Sequence, residues 1–596
     1  MFFSGIMKTS FRRIFPPFFI ILTFIQCSSL QVPEKPKEIQ KGDLSYAKKR
    51  AEYIVQRAME KNSVYGGLLL VAKGNEIIIK KGYGISDKSK NIPVSEKTLF
   101  QIGSISKVFT ALGIMKLKEE GRLSLNDPVT KYIPELKMKK RNPEDRIPTV
   151  RNLLTHHSGL PSDIMNGFLT DQKTDEHTEK FRSLGKILEN EYMANPPEKT
   201  HSYSNLAFGL LGLVIERAAG KSLDSYMREK IFLPIGMKST SYVFLPNESY
   251  SKAYFGKEER DMLKIRDLGA GSVSTNLDDF SNFLLFINSE GRAGNGEVLK
   301  KSSFLEMTEP QNKNIVFDFG QSTGLPFIFS VPFNDKIIIG HDGYLPPFVS
   351  SFLFSPKEKI AVFTSYNTAL SSPSEGTPEI MEEFLEAVSG EKKKPNDNDK
   401  IITIEKQTLQ KFDGKYAAIP GSFEFTADEG GYRTDKMLYL YPKSDGTFGI
   451  KVRILGINLS VEALKKLNVQ FAEHSGEKVF SMNYGNFSVM KGVQYTPKKL
   501  TDVWKKRKGK YEIINHSSYK VFQNPEISLN EDDGMIVFST QLDIGAKGAF
   551  QISFLPETDT TARTPGLGRY AGEVMYITEE NGKEILNYDG YKFRKK

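Results

Sequence analysis

The hydrophobic pattern changes character three times along the chain. SYAKKRAEYIVQRAMEK (45–61) places Ala47, Ala51, Ile54, Val55 and Ala58 on one side of a helix. GGLLLVAKGNEIIIKKGYG (66–84) then holds two apolar runs around Lys73-Gly74-Asn75, the pattern of a β-hairpin. QIGSISKVFTALGIMKL (101–117) is almost unbroken apolar helix. Helices and short strands alternate irregularly to about residue 388, which predicts a mixed α/β domain over 45–389 behind a polar, lysine-rich tether at 28–44.

GEKKKPNDNDK (390–400) contains nothing apolar and marks a domain boundary, so a catalytic domain that stands without the tail is expected. Beyond it come short β-like runs separated by Gly, Asn and Asp. FDGKYAAI (412–419) recurs as RKGKYEII (507–514), and MKGVQYTPKK (490–499) as YDGYKFRKK (588–596). Matched openings and closings predict two similar all-β, barrel-like modules over 401–500 and 501–596. Trp504, the sole tryptophan, opens the second and reads as core.

Composition narrows the function classes. The 596 residues carry 82 basic and 72 acidic side chains, a formal charge of +10, scattered rather than striped. No basic patch interleaved with aromatics is present, so nucleic acid is not an expected partner. Lys8, Arg12 and Arg13 precede the apolar IFPPFFIILTFIQ, which predicts an export signal over 1–27. The single cysteine, Cys27, stands where cleavage would fall. FIQC resembles a relaxed bacterial lipoprotein box, with Gln26 where a small residue is usual. Lipidation of Cys27 would anchor the protein to a membrane of the cell envelope; the alternative is plain secretion. One cysteine excludes an internal disulfide.

Three short stretches carry candidate chemistry. In GSISK, Ser104 and Lys107 are three apart, on one face of a helix. Lys107 either snorkels to solvent or is a desolvated base for a serine at a helix N-terminus. In HSYSN (201–205), Tyr203 and Asn205 enter a strongly apolar helix. Either Ser204 or Asn205 caps that helix and Tyr203 packs, or Tyr203 is a general base beside a cation and the amide orients lysine and substrate. In IIIGHDGYL (337–345), an apolar strand ends in His341-Asp342-Gly343. A glycine there allows close backbone approach, which suits a substrate lying antiparallel to that edge.

Together, in this order, these stretches resemble the serine penicillin-recognising hydrolases: class C β-lactamases, D-alanyl-D-alanine carboxypeptidases, D-aminopeptidases and related carboxylesterases. GRLSLNDPVTKYIPE (121–135), RNLLTHHSGLPS (151–162), LPIGMKSTSY (233–242) and LGAGSVSTNLDDFSNFL (268–284) resemble further landmarks of that superfamily. The resemblance covers roughly 45–388. It implies a β-lactamase/DD-peptidase-like catalytic domain in which Ser104 is acylated, Lys107 is its proton partner and Tyr203 is base and then acid. Asn205, His341, Gly343 and Tyr344 would bind substrate, with the backbone N–H groups of Ser104 and Tyr344 as oxyanion hole. His156 is expected to tie a loop. No metal or cofactor is implied, and the partner is a small-molecule or peptide substrate.

The expected activity is hydrolysis of an amide or ester, peptidase or esterase. A true β-lactamase or wall-peptide carboxypeptidase, and an inactive binding lipoprotein, are the alternatives. His341 and Asp342 stand where penicillin-binding relatives present a lysine and a hydroxyl residue. Weak turnover of penicillins and better turnover of neutral esters or amides are therefore expected. The tail resembles the paired barrels of some D-aminopeptidases, which overhang the cleft or act as spacers.

Overall fold

The computed structural model describes residues 30–596 apart from 171–175, 247, 295, 395–399, 455–456, 486 and 545–546. The expected export signal, with Cys27, lies outside the described residues.

The first domain is built on a seven-stranded antiparallel sheet. Its order is Ile328–Phe329, Ile339–Leu345, Phe348–Ser355, Ile360–Tyr366, Gly66–Lys73, Glu76–Asp87, Ile92–Pro93. The hairpin expected at 66–84 is present, turning at Gly74-Asn75 and continuing to Asp87. Gly66–Lys73 is buried on both faces, which explains why it reads as a continuous apolar run rather than an alternation. Leu69 and Val71 face helices Ser45–Asn62 and Thr377–Ser389, while Leu68 and Leu70 face the large helical core. In helix Ser45–Asn62 the buried residues are Ala47, Ala51, Ile54, Val55 and Ala58, the face its periodicity predicts.

Two helices meet on the other side. Ser106–Glu119 is buried almost all round, and Asn205–Ala219 packs against it. A helix apolar on every side belongs inside a protein, and at roughly 1.5–3 kcal/mol per large apolar side chain its burial offsets the cost of sinking one lysine into it.

The tail forms two closed eight-stranded barrels. In the first, strands from Gly414–Ala417 to Phe487–Gln494 close through Leu438–Pro442 pairing with Phe448–Ile454, and Ile457–Leu459 is an added flap. The second runs from Gly509–Ile513 to Tyr591–Lys595, which pair with each other. Closure removes the sheet edges that short antiparallel modules would otherwise expose. Trp504 is buried in the second barrel's core, and its indole N–H donates to the Thr558 carbonyl at 2.8 Å.

The break near 390–400 does not isolate this tail. Lys491 of the first barrel donates to Thr200 Oγ1 at 2.7 Å, and Asp589 of the second accepts from the Met165 N–H at 2.7 Å. A charged linker reports where the covalent chain leaves a domain. It carries no information about where the next domain docks.

Candidate active site

Ser104 sits in a single 3-10 turn, Gly103–Ile105, directly before helix Ser106–Glu119. Gly103 has φ +51°, and a side chain there would come within 2.6 Å of the Tyr344 backbone nitrogen. The turn is thus pressed onto strand Ile339–Leu345, which brings the Ser104 and Tyr344 backbones together. Lys107, one turn further, is 0 % exposed. Its ammonium donates to Ser104 Oγ at 3.1 Å, to Asn205 Oδ1 at 2.8 Å and to the Ala270 carbonyl at 2.7 Å. Of the two readings of this lysine, snorkelling is excluded. Burial, then the positive charge of Arg569, push its pKa well below the ordinary lysine value.

The capping reading of Y-S-N holds without removing Tyr203 and Asn205 from the neighbourhood of Lys107. Ser204 caps helix Asn205–Ala219, accepting from the Ala207 N–H at 3.0 Å, and this leaves Tyr203 and Asn205 on either side free to face Lys107. Tyr203 hydrogen-bonds Ser104, and its ring lies 4.9 Å from the Lys107 nitrogen. Burial raises the Tyr203 pKa, outweighing the Ser104 hydrogen bond and the charge of Arg569 that act to lower it. The side chain is a neutral phenol, not the phenolate that a general base requires. His156 stacks on Tyr203 with centroids 4.3 Å apart, and its Nδ1 accepts from the Ser204 N–H at 3.1 Å. It ties the loop, as expected.

The third stretch arrives with one difference. His341 is 4 % exposed, its ring 6.1 Å from that of Tyr203. Burial, then the nearby Lys107, lower its pKa to about 3, so the imidazole is neutral at physiological pH. Asp342, the next residue on the strand, points to the opposite sheet face, where it accepts from Ser351 Oγ at 2.7 Å. The Asp342 carboxylate, which stands where penicillin-binding relatives present a hydroxyl residue, is turned away from the Tyr203 side. The backbone that approaches Gly343 is also the chain's own: a Cβ there would lie 1.9 Å from the Ile102 carbonyl oxygen. Among the described residues the strand past Gly340 has ladder pairing with Phe348–Ser355 alone, and the Gly103 turn lies against Tyr344.

Three participants were not singled out from sequence. Asp163 is buried and accepts from Asn205 Nδ2 at 2.8 Å, which fixes the amide so that its oxygen faces Lys107. The Ala270 carbonyl comes from the short helix Leu268–Gly271 within the LGAGSVS landmark. Arg569 belongs to the second barrel, in the glycine-rich stretch PGLGRYAG (565–572) between strands Thr561–Arg563 and Val574–Glu580. A long glycine-rich connection between two barrel strands was the available signal.

A mainly antiparallel sheet flanked by helices, with a serine and a buried lysine at the sheet–helix junction and a tyrosine–asparagine loop opposite, defines the serine β-lactamase-like fold class. The family model described as Beta-lactamase matches residues 51–382, and the chain belongs to that family. It is 26% identical over 345 residues to Protein flp of Staphylococcus aureus (strain MW2), covering 56% of this chain and 65% of that protein. It is 27% identical over 318 residues to Beta-lactamase-like protein 2 of Dictyostelium discoideum, covering 49% and 55%. The chain thus spans less than two thirds of the length of these relatives. Among solved structures, the octameric penicillin-binding protein homologue from Pyrococcus abyssi aligns at TM-score 0.50 and 22% identity, over 75% of this chain and 99% of its own. SurE aligns at TM-score 0.52 and 19% identity, over 76% and 99%. At these identities the likeness concerns the fold.

Proposed function

We propose that the protein is a serine hydrolase acting on an amide or ester through an acyl-enzyme, as a peptidase of the D-aminopeptidase kind or an esterase. The observation that carries this is the fully buried Lys107 ammonium hydrogen-bonded to Ser104 Oγ. Among the described residues no carboxylate pairs directly with this ammonium; Asp163 and Asp267 act on it only from further off, and burial outweighs them, a cost that a purely structural position would have no reason to bear.

Lys107, whose pKa is lowered by its surroundings, accepts the Ser104 proton as Oγ bonds to the substrate carbonyl carbon. The oxyanion is held by the Ser104 and Tyr344 backbone N–H groups. Tyr203, a neutral phenol, gives its proton to the leaving amine or alcohol as the carbon–heteroatom bond breaks, and is resupplied from Lys107. Water then repeats the sequence on the acyl-Ser104 ester, releasing the acid. Asn205, held by Asp163, keeps Lys107 directed at Ser104.

A neutral His341 gives no cation for a penicillin carboxylate at the third stretch, which disfavours the β-lactamase alternative. The intact Ser104–Lys107–Tyr203–Asn205 set disfavours an inactive binding protein. Labelling with a fluorophosphonate beside a fluorescent penicillin tests the proposal. Strong Ser104-dependent fluorophosphonate labelling with weak penicillin labelling is expected; absence of Ser104-dependent labelling by either probe overturns it.

A further inference from the structure

Lys491 is the single charged side chain buried among the described residues of the first barrel, and its ammonium contacts the first domain. It donates to Thr200 Oγ1 at 2.7 Å and lies 4.0 Å from Asp318 Oδ1. Asp318, also buried, closes the single turn Val316–Asp318. Its Oδ1 accepts from the His201 N–H at 2.6 Å. Its Oδ2 lies 2.8 Å from His157 Nε2 and accepts from the Asn312 amide. The two members of this interdomain charge pair therefore grip consecutive residues, Thr200 and His201, directly before Ser202 and Tyr203.

The chain from Thr200 to Tyr203 has no slack. Thr200 Oγ1 donates to the Phe317 carbonyl at 3.0 Å, which turns a lone pair toward Lys491. The Ser202 N–H donates to the His156 carbonyl at 2.8 Å, and Ser202 Oγ to the Gly568 carbonyl at 2.9 Å. Beyond Tyr203 the second barrel holds the loop: the Asn205 N–H donates to the Ser162 carbonyl at 2.8 Å, and the Ser162 N–H to Glu573 Oε1 at 2.9 Å. Lys491 itself is fixed where three domains meet. Its carbonyl accepts from the Leu567 N–H of the second barrel at 3.2 Å, and Phe317, Val479 and Leu567, one from each domain, form one small apolar cluster. Burial pulls the Lys491 pKa down to about 8 against the charge of Asp318. Asp318 is already hydrogen-bonded by three other residues, and replacing a buried ion pair by apolar groups is often neutral or stabilising. What a lysine supplies here, and an apolar side chain would not, is the hydrogen bond to the Tyr203 loop.

We infer that Lys491 is a positioning residue for Tyr203: through Thr200 it holds the phenol where its proton reaches the leaving group, so full activity requires the first barrel in place. This rests on the hydrolase reading above, because it uses Tyr203 as the proton donor to the departing amine or alcohol. Ser104 and Lys107 lie on a different element, the turn Gly103–Ile105 and the helix after it, so bond formation by Ser104 Oγ does not pass through Thr200. Loss of Lys491 therefore falls on bond breaking, in proportion to how much the leaving group needs a proton. A departing alkoxide or amine needs it; a nitrophenolate leaves unaided.

The test compares two esters that form the same acyl-enzyme, benzyl phenylacetate and para-nitrophenyl phenylacetate, so that kcat/KM reports acylation alone. Lys491→Met is expected to lower kcat/KM by at least about tenfold for the benzyl ester and by less than about threefold for the nitrophenyl ester. Thr200→Val removes the acceptor from the loop side and carries the same test where Lys491→Met does not fold. It should act in the same direction, and the double variant should be no worse than the more damaging single one. An equal fall for both esters would make Lys491 an interface residue only and overturns the inference. An unchanged benzyl rate, or additive losses in the double variant, overturns it too. If fluorophosphonate labels Ser104 and any of these results is found, this inference alone fails. If Ser104 neither labels nor turns over either ester, the hydrolase reading fails and this one falls with it.

Discussion

Arg569 and Asp163 are 406 positions apart in the chain and lie 3.5 Å from each other beside Tyr203 and Asn205. Asp163 holds the Asn205 amide, and Asn205 holds Lys107, so a barrel residue is three hydrogen bonds from the ammonium beside Ser104.

Replacing Ser104 by Ala should lower hydrolysis by about a thousandfold or more with folding unchanged, because the nucleophile is lost and its hydroxyl is not part of the core. Tyr203→Phe should cost a comparable factor, since donor and nucleophile act as one unit. Steady-state rates with a thermal melt check both. Near-wild-type turnover in Ser104→Ala would eliminate the acyl-enzyme mechanism.

The pH dependence follows from Lys107. It must be neutral to accept a proton, and its pKa lies well below the ordinary value of 10.5 because of burial and then Arg569. Below the lowered pKa the lysine is charged and inactive; above it the base is free. Hence kcat/KM should rise with pH and level off well before pH 10. Tyr203, raised above its ordinary value of 10.0, should add no falling limb in that range. A profile from pH 5 to 10 decides it. A rise that continues to pH 10 would show a lysine of ordinary basicity.

Ending the chain at residue 400 should slow fluorophosphonate labelling of Ser104 by at least tenfold even where the product is soluble. The barrels support the Tyr203 loop at both Thr200 and Ser202, and each hydrogen bond lost there contributes about 0.5–1.5 kcal/mol to its placement. Labelling rates of truncated and full chains settle the point; equal rates would reduce the barrels to spacers.

Stability should increase on mild acidification through the barrel interface. Burial raises the Glu573 pKa from 4.5 to about 7 in the folded protein. A carboxyl raised in this way stabilises the fold while protonated. Its contribution is complete below about 4.5 and is lost as pH climbs through about 7, with a magnitude on the order of 3 kcal/mol at most. Glu573→Gln should therefore flatten the loss of melting temperature between pH 5 and 8 while keeping an acceptor for the Ser162 N–H. An identical pH dependence in the variant would remove Glu573 from the linkage.

Cys27 should carry lipid. Palmitate labelling and partition into a detergent phase, lost together in Cys27→Ala, are expected. Aqueous partition of both forms would mean secretion without an anchor.

The sequence alone determined what depends on short-range periodicity. The buried face of Ser45–Asn62, the hairpin beginning at Gly66 and the repeat that became two barrels were legible because burial imposes its period on neighbouring positions. Ser104, Lys107, Tyr203, Asn205 and His341 were legible because each sits in a stretch whose local geometry its neighbours dictate. Tertiary structure decided the rest. The side of the sheet that Asp342 faces follows from the register of Ile339–Leu345 against Phe348–Ser355. The protonation of Tyr203 and His341 follows from burial, which no local pattern records. Arg569 reaches the cleft because a barrel loop docks there through hydrogen bonds between residues hundreds of positions apart. Such docking depends on the shapes of two finished surfaces, and those surfaces exist only once each domain has folded.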